Sequence, residues 1–239
     1  MDMRRWRRLG ASRRAANAGN MAVNFLPRRI ETMTHTDAAV SAEALAFKLR
    51  GGTPSLYLVE TLGEWTGRQY ERVYDAERWH EWIGLVKLPL PARRATAREL
   101  DRMRELRRAI YEIAQAVRTG GVPDASHIDT VNRVARTALA APQLSAAADR
   151  WAISDRVSHG QVLAMIALDA ISLFGGPLRE RIKVCARPRC PVLFVDRSRH
   201  GRRIWCSAAC GARSASAKYR LRLAGRELDE DRDFCVSQH

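Results

Sequence analysis

The sequence predicts a mainly α protein: a multi-helix N-terminal domain with one β-hairpin, followed by a small treble-clef-like zinc finger. Two observations support this prediction. Apolar residues recur at helical spacing, between capping and stop signals, over residues 40–175. Four cysteines in two close pairs follow. We therefore expect an arm at residues 1–39, a helical domain at 40–176, a finger at 177–226 and an acidic tail at 227–239.

Three N-terminal capping signals mark the first helices of the domain. Thr53 is placed as an N-cap, with Pro54 as the first helical residue. Asp75 can cap a second helix, and Thr96 with Glu99 forms a capping box before the longest one. The apolar faces that these helices would bury are Leu56, Val59, Leu62 and Trp65; Trp79, Trp82, Ile83 and Val86; and Leu100, Met103, Leu106, Ile110, Ile113 and Val117. We expect the tryptophans to be core residues, although two of them could line a ligand pocket between helices.

Stop signals and apolar patterns also define the elements in the second half of the domain. A fourth helix is expected from about Ser126 until Pro142. Residues 143–157 alternate apolar and polar side chains, which predicts a β-hairpin. Residues 160–173 are apolar nearly all round and predict the central buried helix. Gly175, Gly176 and Pro177 then break the chain before the finger.

The net charge of +15 is concentrated in two segments. Residues 1–29 carry a net +7 and residues 179–226 a net +12, whereas the rest of the chain is net −4. A concentrated positive field attracts phosphate groups and releases their counterions on contact. A GC-rich genome would explain the excess of arginine over lysine, but it would not explain an acidic middle. The distribution therefore favours a polyanionic partner.

No membrane-spanning or export segment is predicted. The most apolar run, residues 162–174, is shorter than the roughly 20 residues that a span needs, and it contains Asp169. The arm has no apolar run after its arginines, so it does not resemble a secretory signal. We expect it to be either a basic disordered arm or a start assigned too early, with Met21 and Met33 as alternative starts. The expected location is the cytoplasm, in association with the nucleoid.

Four of the five cysteines form the pattern Cys185-x4-Cys190-x15-Cys206-x3-Cys210. Two close pairs joined by a loop can bring four thiolates around a tetrahedral metal ion. Because all four positions would be filled, the site would be structural and would hold one Zn²⁺ per chain. A pair of disulfides is the alternative, but nothing indicates export, and cytosolic thiols stay reduced. Cys235 falls outside the pattern and is expected to be a non-ligand.

The residues around these cysteines predict the elements of a treble clef. Residues 185–190 would form a knuckle, and residues 193–196 and 203–205 would form two strands. A helix would start at Cys206 and run to about residue 224. A thiolate near a helix N-terminus is favoured by the helix dipole.

Three short motifs give the finger a family resemblance. They are Phe194-x-Asp196-x-Ser198, Arg202-Arg203-x-Trp205-Cys206-Ser207 and Cys210-Gly211-Ala212-Arg213, and together they resemble the CGNR zinc-finger family. In that family the finger follows a helical ABATE domain, and residues 52–61 are similar to the glycine-to-LDFVNT segment of that domain. The resemblance implies a stress-induced bacterial transcription regulator.

Three positions depart from the family pattern. Ala212 stands where an Asn is expected, and Tyr57 and Glu60 stand where the family usually has Asp and Asn. If the latter residues bind a ligand in relatives, that site is lost or altered here. All four cysteines are kept, so the zinc assignment is unaffected.

We expect a zinc-dependent DNA-binding transcription regulator rather than an enzyme. Its basic finger would contact DNA, and its helical body would form a homodimer or sense a small-molecule effector. The six histidines show no paired ligand spacing, and there is no Gly-rich phosphate loop or nucleophile motif. A module that binds structured RNA or an acidic protein is the alternative, because treble clefs serve these roles too. The residues expected to contact nucleic acid are Arg199, Arg202, Arg203, Arg213, Lys218, Arg220 and Arg222.

Overall fold

A computed structural model describes residues 40–65, 67–139, 141–153 and 157–223. Within these ranges the helices are α1 Ala42–Leu45, α2 Pro54–Val59, α3 Ala76–Leu85, α4 Ala97–Arg118, α5 Ala125–Ala135, α6 His159–Gly175 and α7 Ala208–Leu223. Three antiparallel pairs of strands are β1 Leu62–Gly63 with β2 Tyr70–Glu71, β3 Pro142–Leu144 with β4 Trp151–Ile153, and β5 Ile182–Val184 with β6 Leu193–Val195. The mainly α prediction is confirmed. The predictions for the arm, the acidic tail and Cys235 concern residues outside the described ranges.

The capping signals of the long helices are confirmed in atomic detail. The Asp75 side chain accepts a hydrogen bond from the Arg78 N–H at 2.8 Å at the start of α3. Thr96 and Glu99 form the reciprocal capping box of α4. A second capping box, between Ser158 and Gln161, opens α6. Each of these three helices therefore starts where a side chain can satisfy the first backbone N–H groups.

Helix α2 is shorter than its apolar pattern predicts. It ends at Val59, and Leu62 lies in strand β1 instead of on the helix. Thr53 occupies the N-cap position, but its hydroxyl bonds the Ser55 hydroxyl and not the backbone. The Ser55 N–H donates instead to Asp169 Oδ2 of α6, at 2.9 Å. A tertiary contact thus takes over the capping role.

The core forms where α2, α5 and α6 pack against α4. The predicted apolar stripe of α4 faces inward, and only Val117 at its end is not fully buried. In α3, Trp79 and Trp82 stack with ring centroids 5.1 Å apart, and both are buried. Trp79 Nε1 donates to Nδ1 of the buried His159, whose Nε2 lies 3.0 Å from the Arg93 carbonyl oxygen. Burial lowers the pKa of His159, which favours the neutral ring in this position.

A buried ion pair joins the β1–β2 hairpin to α4. Arg107 is 4% exposed and donates to both carboxylate oxygens of Glu71, at 2.7 and 2.6 Å. It also donates to the Thr61 hydroxyl at 2.8 Å. The hairpin was not predicted, because its strands have two residues each and no alternation can be read from so few positions.

The finger and the helical domain share one hydrophobic core. Along β6 the side chains alternate, as in any strand. Leu193 and Val195 join Ile182 of β5 in the core cluster of the body, whereas Phe194 packs with the cysteines. The Val195 N–H also donates to the Gly51 carbonyl oxygen at 2.9 Å. Gly52, at φ +88°, lies against Val195, and a positive φ of this kind favours glycine.

Acid stability is expected to depend on Glu99. The bidentate hydrogen bond from Arg93 lowers the pKa of Glu99 to about 2. A carboxyl whose folded pKa is depressed adds stability above its unfolded pKa, and this contribution disappears as the pH falls toward the folded value. Glu99→Gln keeps a capping side chain but cannot titrate. We expect the free energy of unfolding in urea to fall less between pH 5 and pH 2 in this variant than in the wild type.

Loss of metal in acid would affect both proteins of that comparison, so the difference between their curves isolates the carboxylate. Parallel curves over this pH range would contradict the assignment. In that case Arg93 would not stabilise the folded state through Glu99.

Candidate metal centre and basic surface

The four predicted cysteines come together in one buried cluster. Their sulfur atoms all lie within 4.8 Å of one another. Cys190 Sγ lies 3.8 Å from Cys206 Sγ and 3.9 Å from Cys210 Sγ, and the latter two are 3.5 Å apart. A tetrahedral ion with Zn–S bonds of about 2.3 Å requires sulfur separations of about 3.8 Å. The donor set and its spacing therefore fit Zn²⁺.

The pKa of each thiol depends on burial and on the other cysteines of the cluster. The hydrogen bond with Cys206 lowers the pKa of the Cys190 thiol to about 4, and the same bond raises the pKa of Cys206. Burial raises the pKa of Cys185. Four thiolates this close repel one another, so all of them can ionise together only around a cation. Metal affinity at this cluster should accordingly fall as the pH falls.

Two arginines lie beside the cluster and oppose its negative charge. Arg50 comes from the body, and its interactions with Glu60 and with the thiolates of Cys206 and Cys190 outweigh burial and raise its pKa. Burial also lowers the pKa of Arg187, but its hydrogen bond with Cys210 and the charge of Cys190 raise it overall. A zinc ion with four thiolates carries a net charge of −2, which these cations would balance.

The elements that hold the cysteines differ in one respect from the prediction. Cys185 and Cys190 lie on the connection between β5 and β6, with the Cys190 N–H bonded to the Arg187 carbonyl oxygen at 3.0 Å. Cys206 lies two residues before the start of α7, and Cys210 lies in its first turn. The knuckle and the helix are thus where they were predicted. The predicted strand at residues 203–205 is wrong, because β6 pairs with Ile182–Val184 instead.

Asp196 organises the loop between β6 and α7. The side chain is fully buried and accepts from the Ser198 N–H, the Ser198 hydroxyl, the Lys183 ammonium and the Arg203 N–H, at 2.6 to 2.9 Å. Burial alone would raise its pKa, but these bonds hold the pKa of the carboxyl well below its usual range. Asp196 is therefore the acceptor around which the loop between β6 and α7 is arranged.

The close contact between Gly211 and Trp205 explains why the Cys210–Arg213 motif contains a glycine. A Cβ added here would lie 3.2 Å from Trp205 Cε3. The first turn of α7 therefore packs closely on the Trp205 ring, which in turn covers the cysteine cluster. The adjacent Ala212 is exposed.

All seven residues predicted to contact nucleic acid are exposed. Four of them lie on α7, where the helical repeat places Arg213 and Arg220 on one face and Lys218 and Arg222 on another. Arg199 and Arg202 lie on the loop that Asp196 organises. Arg203 is partly committed within the finger, because its guanidinium donates to the carbonyl oxygens of Trp205 and Cys206 and lies over the Phe194 ring.

Helix α7 is exposed on every side after its first two turns. Every residue from 215 to 220 is exposed, including Tyr219. The helix contains no acidic residue. Because residues 215–220 bury no face, this part of α7 is available for contact with a partner.

A cleft of about 210 Å³ lies where the finger meets the body. On the body side, Glu60 accepts hydrogen bonds from the N–H groups of Arg50 and Gly51 and from the Arg50 side chain. Burial raises the pKa of Glu60 in spite of these bonds. On the finger side the cleft is lined by residues next to Cys190 and by Arg213 of α7.

Comparison with known families assigns both parts of the chain. Residues 52–177, more than half of the chain, match the ABATE family, described as "Putative stress-induced transcription regulator". The chain belongs to the ABATE family. Residues 181–223 match the CGNR zinc finger. No curated protein matches the chain.

The ABATE and CGNR matches confirm the architecture expected from the resemblance. Neither description names an enzymatic activity. In the ABATE segment, Tyr57 is partly buried against the core, and Glu60 lines the cleft between body and finger. Across the described ranges, every helix is too short or too polar to cross a membrane.

Proposed function

We propose that the protein is a zinc-dependent transcription regulator that binds DNA through its finger. One observation carries the proposal. An acid-free helix, exposed along residues 215–220, extends from a buried four-cysteine cluster and presents Arg213, Lys218, Arg220 and Arg222 to solvent. The ABATE family description supports a regulatory role.

The four cysteines, Cys185, Cys190, Cys206 and Cys210, are proposed to bind one structural Zn²⁺ per chain. The sulfur spacing supports this assignment, and the described residues add no donor other than cysteine to the cluster. The ion would fix the start of α7 relative to the β5–β6 hairpin, because each of these elements provides two ligands. DNA binding would then depend on zinc through the position of α7.

The proposed DNA surface consists of α7 together with Arg199 and Arg202 of the preceding loop. These two arginines are exposed, and the loop that carries them is fixed by Asp196. Arg203 would contribute less, because two of its donor groups already bond backbone carbonyls. Phosphate contacts of this kind position a protein on DNA, whereas base contacts select the sequence.

Removing two of these cations should weaken DNA binding. We expect Arg220→Gln with Arg222→Gln to reduce affinity for any duplex and to lower the salt slope of log K by about 2, since each phosphate contact contributes about 0.9. A salt titration of a gel-shift or anisotropy assay measures both effects. Gln preserves helix propensity, so α7 should stay intact.

The matched control is Arg98→Gln with Arg108→Gln, which removes the same charge from exposed positions on α4. We expect it to keep the wild-type salt slope. No binding of the wild type to any duplex at micromolar concentration would refute the proposal. Tight binding to structured RNA or to an acidic protein would then favour the alternative function.

The helical body is proposed to form a homodimer or to sense a signal for the finger. The shared core at Leu193 and Val195 offers a direct route between the two parts. Light scattering coupled to gel filtration measures the oligomeric state. A regulator of this kind would act in the cytoplasm, at the nucleoid.

A further inference from the structure

We propose that the cleft between body and finger binds a small organic anion, and that this is the signal which the regulator senses. The inference rests on the proposed function for its regulatory meaning. The site itself is defined by the cleft of about 210 Å³, whose walls come from both parts of the chain. The sequence analysis expected an effector site within the helical domain, whereas this cleft is formed in part by the finger.

The charge of the cleft favours an anion. Six cationic side chains line it against two carboxylates, Glu60 and Glu64. The cations are Lys48, Arg50, Arg72, Arg187, Arg189 and Arg213. The cysteine cluster also borders the cleft, and its charge of −2 with zinc would be balanced by Arg50 and Arg187. The cleft therefore keeps an excess of positive charge.

The three cations from the body already have partners. Lys48 Nζ lies 3.6 Å from Glu43 Oε1. Arg50 pairs with Glu60. Arg72 donates to the carbonyl oxygens of Ala44 and Glu60 and to the Tyr70 hydroxyl. Their hydrogen bonds hold the loop before α2 and the β1–β2 hairpin in place, so the body side of the cleft is formed in advance.

The finger side supplies the cations that have donors to spare. Arg189 and Arg213 contact no carboxylate among the described residues. Arg187 is already engaged with the thiols, because it bonds Cys210. Arg189 and Arg213 are therefore the cations that an anionic acceptor in the cleft would engage.

The remaining wall is apolar. Val59, Leu62, Trp65 and Val192 line the cleft beside the cations. The Trp65 ring is fixed by stacking on Tyr111, with centroids 3.8 Å apart, and by its Nε1–H donating to the Val59 carbonyl oxygen at 3.1 Å. A cationic rim beside a fixed aromatic ring suits an organic acid with an apolar body better than an inorganic ion.

The position of Arg213 gives the site its regulatory consequence. This residue lines the cleft and also lies on the α7 face that includes Arg220. An anion bound there would draw Arg213 toward the body and neutralise part of the proposed DNA surface. Occupancy of the cleft should therefore reduce affinity for DNA, and DNA should reduce affinity for the anion by the same factor.

The binding test uses the zinc-loaded full chain without DNA, and calorimetry measures binding. Salicylate and phenyl phosphate are the organic anion probes. Benzamide, an uncharged aromatic compound, and sulfate, an inorganic anion, are the controls. We expect at least one organic anion to bind with a Kd of about 1 mM or lower, and the two controls to bind at least tenfold more weakly. Arg189→Gly should weaken that binding about tenfold. Arg189 has φ +59°, so glycine suits its backbone and the knuckle should keep its fold. Arg108→Gln removes the same charge from an exposed position on α4, outside the cleft and outside the proposed DNA surface, and should leave binding unchanged.

Each outcome of this test supports or overturns the anion site independently of whether the protein binds DNA. No organic anion bound at about 10 mM, or equal binding of sulfate or benzamide, overturns it. Equal loss in Arg108→Gln and Arg189→Gly also overturns it, because the attraction would then be a general effect of charge. If the anion binds as expected and the protein never binds DNA, the site stands and the proposed regulatory output fails.

Discussion

Replacing Cys206 with serine is expected to abolish zinc binding and to unfold the finger. Structural zinc provides of order 10 kcal/mol of folding free energy in zinc-finger peptides, and whole domains are stable by only about 5–15 kcal/mol. Cys206 is buried at the centre of the cluster, within 3.8 Å of two other sulfurs, so no other residue can replace it. Elemental analysis should give about one zinc per wild-type chain and none per Cys206→Ser chain.

The damage should extend into the helical body. Strand β6 packs against α2 and β5 against α4, so their loss exposes part of the body core. We expect amide hydrogen exchange of Leu56 and Leu58 in α2 to accelerate, along with that of the finger. Exchange at Trp82 should change less, because α3 packs mainly against α4 and not against the strands of the finger.

Cys235→Ser is the matched control, because it removes the one cysteine outside the spacing pattern. It should keep full zinc content and wild-type hydrogen exchange. A Cys206→Ser protein that retains zinc, or that loses zinc with an unchanged finger, would refute the metal site as assigned. Loss of DNA binding in Cys206→Ser alone would connect that activity to the folded finger.

The second large effect is expected from Asp196→Asn. The carboxylate uses both oxygens as acceptors, one for Ser198 and the other for Lys183 and Arg203. Asparagine can replace only one of them, and its NH₂ group would face donors at the other. Breaking a buried charged pair costs about 3–5 kcal/mol, and the partial exposure of Lys183 places the expected loss near 3 kcal/mol. Urea unfolding of the zinc-loaded protein measures it.

Asp124→Asn tests whether the loss is specific to this environment. Asp124 caps α5 from an exposed position, with its carboxylate accepting from the Ser126 N–H at 2.8 Å. Asparagine caps helices as well as aspartate does, so this control should leave stability close to that of the wild type. If Asp196→Asn were equally mild, the loop at residues 197–203 would have to be held by other contacts.

Local signals in the sequence were sufficient for the helices and the metal cluster. Asp75, Thr96 and the apolar stripe of α4 act within one or two turns, so their outcome can be predicted without knowing the tertiary fold. The same holds for the cysteine spacing, because a knuckle and the first turn of a helix are both local structures.

The remaining features depend on contacts between distant segments. Asp169 bonds the Ser55 N–H across 114 residues, and no pattern near Thr53 could reveal it. The partner of β6 was misassigned because residues 182–184 and 203–205 both offer short apolar stretches. Only the β5 stretch leads directly into the knuckle and can fold back on residues 193–195. The cleft was missed for the same reason, since it exists only once the body and the finger are packed together.

The two-sided packing of β6 limits how this protein can be altered by recombination. A finger cut from the body before residue 182 would expose Ile182, Leu193 and Val195 to water, at a cost of about 2 kcal/mol for each side chain. The same cut would leave a gap in the body beside Gly51 and Gly52. A finger transplanted between relatives should therefore function only if the α2 and α4 surfaces that receive β5 and β6 move with it. The finger and the helical domain should therefore be exchanged together, with the surfaces through which they pack, although each has a sequence signature of its own.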